Sequence, residues 1–152
     1  MGNMKHIRRP IWLSGDGSRV QVIDQRQLPH EMRILDLTSV DDTIMAIKEM
    51  VVRGAPLIGV TAAYGMYLAA LNAPRDANGP EYWNNEAGRL VAARPTAVNL
   101  AWGVDRVLAK VRSIDSVSAC IDAAREEAAA IAEEEAVGQL TERHWRVIRH
   151  VR

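Results

Sequence analysis

The apolar positions change period once along the chain, and the change divides it. Up to about residue 38 they come in short runs. "PIWLS" and "SRVQVID" flank the turn-forming "GDG", which predicts a β-hairpin. In the second run Val20 and Val22 alternate with Arg19 and Gln21, the period of a strand with one wet face. After "QLPH", the run "EMRILDL" predicts a third strand.

From Ser39 onward the period is helical. Ser39 and Asp42 have the spacing of a capping box, with Asp in the place of Glu, and Ile44, Ile47 and Val51 follow on one face. Gly54 after "MVVR" predicts the stop of this first helix, and Pro56 suits the first turn of the next. The second helix, "PLIGVTAAYGMYLAAL", carries Gly59 and Gly65, each costing about 1 kcal/mol of helix propensity against Ala. That loss is tolerable where neighbours pack close to the backbone, so the segment is expected to be central and buried. "NAPRDANGP" predicts a loop and "EYWNNEAGRLVAA" a third helix. A fourth is expected to start near Pro95, with Ala97, Ala101, Val104, Leu108 and Val111 on one face. Asp115 is the expected cap of a fifth, in which Val117, Ile121, Ala124, Ala128 and Ile131 repeat the pattern. The fold class predicted is α+β, a small N-terminal antiparallel sheet followed by a helical bundle, with no internal repeat.

Composition narrows the function classes. In a chain of 152 residues, 19 basic and 19 acidic side chains balance, which argues against a general binder of nucleic acid or anionic membrane. A local anion site remains compatible with that balance. Cys120 is the single cysteine, so no internal disulfide forms and a reducing compartment is expected. "MGNMKHIRRPIW" lacks the apolar core of a secretory signal, and the most apolar window, 57–71, is short of the roughly 20 residues a membrane crossing needs. The expected location is cytoplasmic, with no membrane and no nucleic-acid partner.

Candidate chemistry gathers at two helix entrances. A helix N-terminus leaves unpaired N–H groups and about half a positive charge, so it attracts anions. "RGAP" sets Arg53 and Gly54 at one entrance, and "ARPTAVNLAWG" sets Arg94 at another. Glycine lets a ligand approach the backbone, and arginine binds phosphate through two parallel hydrogen bonds. Pattern alone leaves a plain reading open, in which both arginines are exposed residues beside ordinary Gly and Pro helix ends.

The blocks "LPHEMRILDLTSVDDTIMAIKEMVVRGAPLIGVTAAYGMYLAA" and "RPTAVNLAWGVDRV" resemble the methylthioribose-1-phosphate isomerase family. The same family includes ribose-1,5-bisphosphate isomerase and, more distantly, regulatory subunits of a translation-initiation guanine-nucleotide exchange factor, so isomerisation of ribose 1,5-bisphosphate and a non-catalytic interaction module stay open as alternatives. The likeness runs from about Ile7 to Glu134. It implies aldose–ketose isomerisation of 5-methylthioribose 1-phosphate in methionine salvage, without metal or redox cofactor, by a cytoplasmic homodimer. It also implies that Arg53, Gly54, Ala55 and Arg94 bind the small-molecule sugar phosphate.

Departures from the family pattern carry expectations of their own. The family's catalytic cysteine, in a motif like "THCNAG", its later aspartate and its C-terminal Rossmann-like domain find no match here, so no catalytic residue is assigned. The chain is expected to be an N-terminal fragment, with a family domain over 1–135 and a divergent basic tail over 136–152 carrying Arg143, Arg146, Arg149 and Arg152. A truncated or frameshifted gene product, unable to turn over substrate alone, fits that pattern. Cys120 reads as a packed thiol within a helix. His6, His30, His144 and His150 lack tight ligand spacing, which predicts no metal site. Trp12, Trp83, Trp102 and Trp145 read as packing residues.

Overall fold

The computed structural model describes residues 9–74 and 80–151, with side chains described as far as Ala136. The three expected strands form one antiparallel sheet in the order β1-β2-β3: β1 is Ile11–Leu13, β2 is Val20–Ile23 and β3 is Ile34–Leu37. Register follows the alternation. Val20 sits opposite Leu13 and Leu37, Val22 opposite Ile11 and Leu35, and both valines are fully buried. The other face carries a polar ladder, in which Trp12 Nε1 donates to Gln21 Oε1 and Gln21 Nε2 donates to Asp36 Oδ1, each at 2.9 Å.

Five helices follow: α1 Val40–Lys48, α2 Ala55–Leu71, α3 Pro80–Ala92, α4 Val98–Val111 and α5 Val117–Val151. As expected, α2 is the hub. Every residue from Leu57 to Ala70 is buried, and all four other helices pack around it. Tyr67 and Tyr82 tie this hub to its surroundings, donating to Gly17 O and to Ala69 O at 2.6 Å. The expected boundary after residue 135 falls inside α5, and the side chains beyond Ala136 lie outside the described residues.

Three predicted helix ends are corrected. The first helix stops at Lys48 and not at Gly54, because Met50 takes a left-handed φ of 61°, and Val51 and Val52 then turn inward and are buried. The fourth begins at Val98, not near Pro95: Ala97 N–H donates to Arg94 O at 3.0 Å, making 94–97 a tight turn with Pro95 at its favoured second position. At α5 the cap is Ser116, not Asp115; its Oγ accepts from Ala119 N–H at 3.3 Å.

Candidate anion-binding site

Two glycines set the geometry. A Cβ on Gly103 of α4 would lie 2.4 Å from Gly59 O of α2, and one on Gly59 would lie 2.9 Å from Asn99 O. The backbones of α2 and α4 therefore touch close to their N-terminal ends, which brings the two helix heads side by side. Between them opens a cavity of about 560 Å³. The head of α2 contributes Gly54, Ala55 and Ile58; the turn and head of α4 contribute Arg94, Thr96, Ala97, Val98 and Asn99.

Both heads are electrostatically bare. Neither N-cap, Gly54 or Ala97, supplies a side-chain hydrogen bond, and neither first turn holds a carboxylate. Gly54 holds φ at 93°, a conformation that other residues rarely adopt, and a Cβ there would point into open space. The approach to the α2 backbone is thus unobstructed. Pro56 in the first turn has no N–H to contribute, so the free donors of this head include those of Ala55 and Leu57.

Arg94 is half-buried beside these donors. Arg9, Arg19, Arg26, Arg33, Arg89, Arg106 and Arg125 each meet a carboxylate, whereas Arg53, Arg94 and Arg112 meet none among the described residues. Arg112 lies at the opposite end of α4. Arg53 is exposed, one residue before Gly54, and is not among the residues lining the cavity. The structure therefore brings Gly54, Ala55 and Arg94 together and sets Arg53 next to them in sequence. Thr96, Val98 and Asn99 join the lining; as first-turn neighbours of Arg94 in "RPTAVN" they follow from its placement.

The segment leading into Gly54 is fixed from the sheet side. Gln25 N–H donates to Val51 O at 2.8 Å, and the preceding Asp24, buried, is gripped by Arg26 Nε and Nη2 at 2.9 and 2.8 Å. The Arg26 guanidinium holds the Asp24 carboxyl below the usual carboxylate range despite its burial. A smaller cleft of about 60 Å³ on the Pro56 side of α2 offers no comparable cation, since its Arg9 is bound to Glu133 at 2.8 Å.

Other expected features sort simply. Cys120 is buried, its Sγ 3.7 Å from the carbonyls of Val111 and Ile114, and burial pushes its thiol up: a packed group. Among the described residues no group of three His, Cys, Asp or Glu is arranged to hold a metal, and no helix is long and apolar enough to cross a membrane. His6, and the side chains of His144, His150 and Trp145, lie outside the described residues. Trp83 is packed as expected, but Trp102 is 40% exposed.

The sequence profile of the Initiation factor 2 subunit family matches residues 51–142, which include the whole cavity lining. Methylthioribose-1-phosphate isomerase of Desulfosudis oleivorans is 58% identical over 127 residues, 84% of this chain and 34% of that protein. The Rhizobium meliloti protein of the same name is 46% identical over 125 residues, 82% and 33% of the two chains. Among solved structures, translation initiation factor eIF-2B subunit delta from A. fulgidus matches with a TM-score of 0.75 at 34% identity, over 83% of this chain and 37% of that one. The 5-methylthioribose 1-phosphate isomerase from Pyrococcus horikoshii OT3 matches with a TM-score of 0.72 at 33% identity, over 83% and 36%. This chain spans about a third of the length of the curated relatives it matches.

Proposed function

The chain belongs to the Initiation factor 2 subunit family, and from that premise we propose that it is the phosphate-holding part of a methylthioribose-1-phosphate isomerase. The reaction is the conversion of the aldose 5-methylthioribose 1-phosphate to the ketose 5-methylthioribulose 1-phosphate. One observation carries the reading: two uncapped helix heads and an arginine without a carboxylate partner among the described residues line one cavity.

In this reading the Arg94 guanidinium takes two phosphate oxygens as a fork, and the free N–H groups at Ala55 and at Val98 and Asn99 take others. Gly54 leaves room for the anion against the backbone. Arg53 adds a second positive charge at the rim. Isomerisation moves protons between C1 and C2 and needs an acid and a base, yet among the described residues the lining holds no carboxylate, thiol or imidazole. The region binds and orients, and the 152-residue chain by itself is expected to bind without turnover. The reading extends to a cytoplasmic homodimer working in methionine salvage without a metal or redox cofactor, as the family resemblance implies.

The likeness to eIF-2B subunit delta favours a second reading, a non-catalytic interaction module. Calorimetric titration of the chain with inorganic phosphate and with 5-methylthioribose 1-phosphate separates the two. Sugar-phosphate binding that disappears in Arg94→Ala supports the isomerase reading; binding of a protein partner and of neither phosphate compound supports the module.

A further inference from the structure

Val98 is 79% exposed although it is a β-branched apolar residue in the first turn of a helix, and it lines the anion cavity. Trp102 follows four residues later, on the same side of α4 and about 6 Å farther along the axis. Four residues beyond that, the Arg106 guanidinium lies over the Trp102 ring at 5.0 Å. Arg106 is fully engaged from below: its Nε donates to Glu127 at 2.8 Å, and its two terminal nitrogens donate to Glu134 at 2.7 and 2.9 Å. One cation and two carboxylates leave this cluster with a net negative charge.

A ridge thus leads away from the cavity, first aliphatic, then aromatic, then negative. A sugar phosphate anchored at the helix heads carries its other end some atoms away, at the scale of one helical turn. An apolar thioether reaching along the ridge loses its water against Val98 and Trp102, and sulfur at an aromatic edge is itself favourable. A second phosphate in the same place meets apolar surface and then net negative charge.

We infer that Val98 and Trp102 are the specificity-determining pair of this site, selecting a sugar 1-phosphate with an apolar thioether at C5 over a sugar bisphosphate. The inference rests on the proposed phosphate site, and the test keeps the two apart. The 152-residue chain is titrated calorimetrically with 5-methylthioribose 1-phosphate, ribose 1,5-bisphosphate and inorganic phosphate. In the Val98→Thr/Trp102→Ala double variant, affinity for the thioether sugar relative to the bisphosphate should fall about tenfold, the effect of two buried methylene equivalents. Affinity for inorganic phosphate should stay unchanged in Trp102→Ala alone, since Trp102 lies outside the cavity lining. Trp102→Leu, which keeps apolar bulk, should retain most of the preference, and Glu134→Gln should raise bisphosphate affinity several-fold. An unchanged ratio in the double variant, with phosphate still bound through Arg94, overturns the specificity role and leaves the phosphate site standing. A change in sedimentation behaviour in place of the ratio also overturns it, marking the ridge as a contact between copies. Failure of the unsubstituted chain to bind any of the three compounds at millimolar concentration overturns the phosphate site itself.

Discussion

The head of α1 and the heads of α2 and α4 begin with the same deficit and treat it in opposite ways. Each starts a helix with backbone N–H groups that have no intrahelical acceptor. At α1 the chain answers with its own side chains: Ser39 Oγ accepts from Asp42 N–H at 3.1 Å, and Asp42 Oδ2 accepts from Thr38 N–H at 2.9 Å. Asp41 and Asp42 add negative charge to the first turn. At α2 and α4 the caps are Gly54 and Ala97, with no side-chain cap hydrogen bond and no acidic residue in the first turn. A good cap is worth about 1 kcal/mol, so the second arrangement forgoes stability at two adjacent places. Helix heads left open side by side, with Arg94 beside them, are the pattern expected where a bound anion completes the hydrogen bonding.

The contrast breaks most severely if the heads are forced apart. Gly103→Ala places a methyl group 2.4 Å from Gly59 O, backbone against side chain, with no flexible tip to yield. Overpacking of this kind should cost about 3 kcal/mol in a urea melt and should abolish phosphate binding in the fraction that still folds. Gly88→Ala is the control: the position is exposed on α3 with nothing near a new Cβ, and the substitution should be neutral or stabilising by about 0.5–1 kcal/mol.

Removing the charge and keeping the heads is the next test. Arg94→Ala should weaken phosphate binding by about 1.5–3 kcal/mol, a hydrogen bond to a charged group, with little change in melting temperature because Arg94 has no carboxylate partner among the described residues to lose. Arg53→Ala should cost less, as an exposed residue outside the lining.

Exchanging the two strategies sharpens the comparison further. Ala97 already has the extended backbone of a cap, φ −83° and ψ 101°, so Ala97→Ser should gain up to about 1 kcal/mol of stability while its hydroxyl competes with phosphate for the same N–H groups. Ser39→Ala should lose about 1 kcal/mol and leave phosphate affinity untouched. Paired thermal melts and titrations check both directions. If Ala97→Ser stabilises the protein without weakening phosphate binding, the α4 head is not an anion site.

Much of this fold is legible in the sequence because its signals are local. Val20 and Val22 alternate, so the strand and its register follow; Ser39 and Asp42 have cap spacing, and α1 begins where they say. Helix ends read less well where the controlling residue lacks a signature. Met50 adopts a left-handed φ that Gly54, four residues on, would have been expected to supply, because burying Val51 and Val52 determines the turn. At α4 the "RPTA" turn consumes Pro95 as a corner and delays the helix by three residues. The identity of Gly54, Ala55 and Arg94 as candidate residues was readable, but their convergence was not, since it depends on a backbone contact between Gly59 and Gly103 that are 44 positions apart. Trp102 reads as a packing residue and is 40% exposed for a related reason: spacing puts it on α4, but only the packing shows that its side faces out.

The smallest expected effect separates the two regimes by pH. The β1–β2 turn is a satisfied site in the manner of the α1 head: Asp16 Oδ1 accepts from Ser18 N–H at 3.0 Å and from the hydroxyls of Ser14 and Ser18 at 2.8 Å. Those donors, the Ser18 N–H foremost, lower the Asp16 carboxyl from 3.8 to about 2. A folded value below the unfolded one means that this contribution is present above the ordinary carboxylate range and is lost as pH falls through about 2. Among the described residues the anion cavity has no carboxylate, thiol or imidazole in its lining, so its pH dependence is expected to belong to the sugar phosphate, whose second phosphate ionisation lies near 6. Carboxyl NMR should therefore show Asp16 still ionised at pH 3.5, after phosphate binding has already weakened between pH 7 and about 5. Binding that instead persists down to the acid limit of Asp16 would mean that the heads do not distinguish a dianion from a monoanion, and that the positive field assigned to them is too weak to be the reason they were left open.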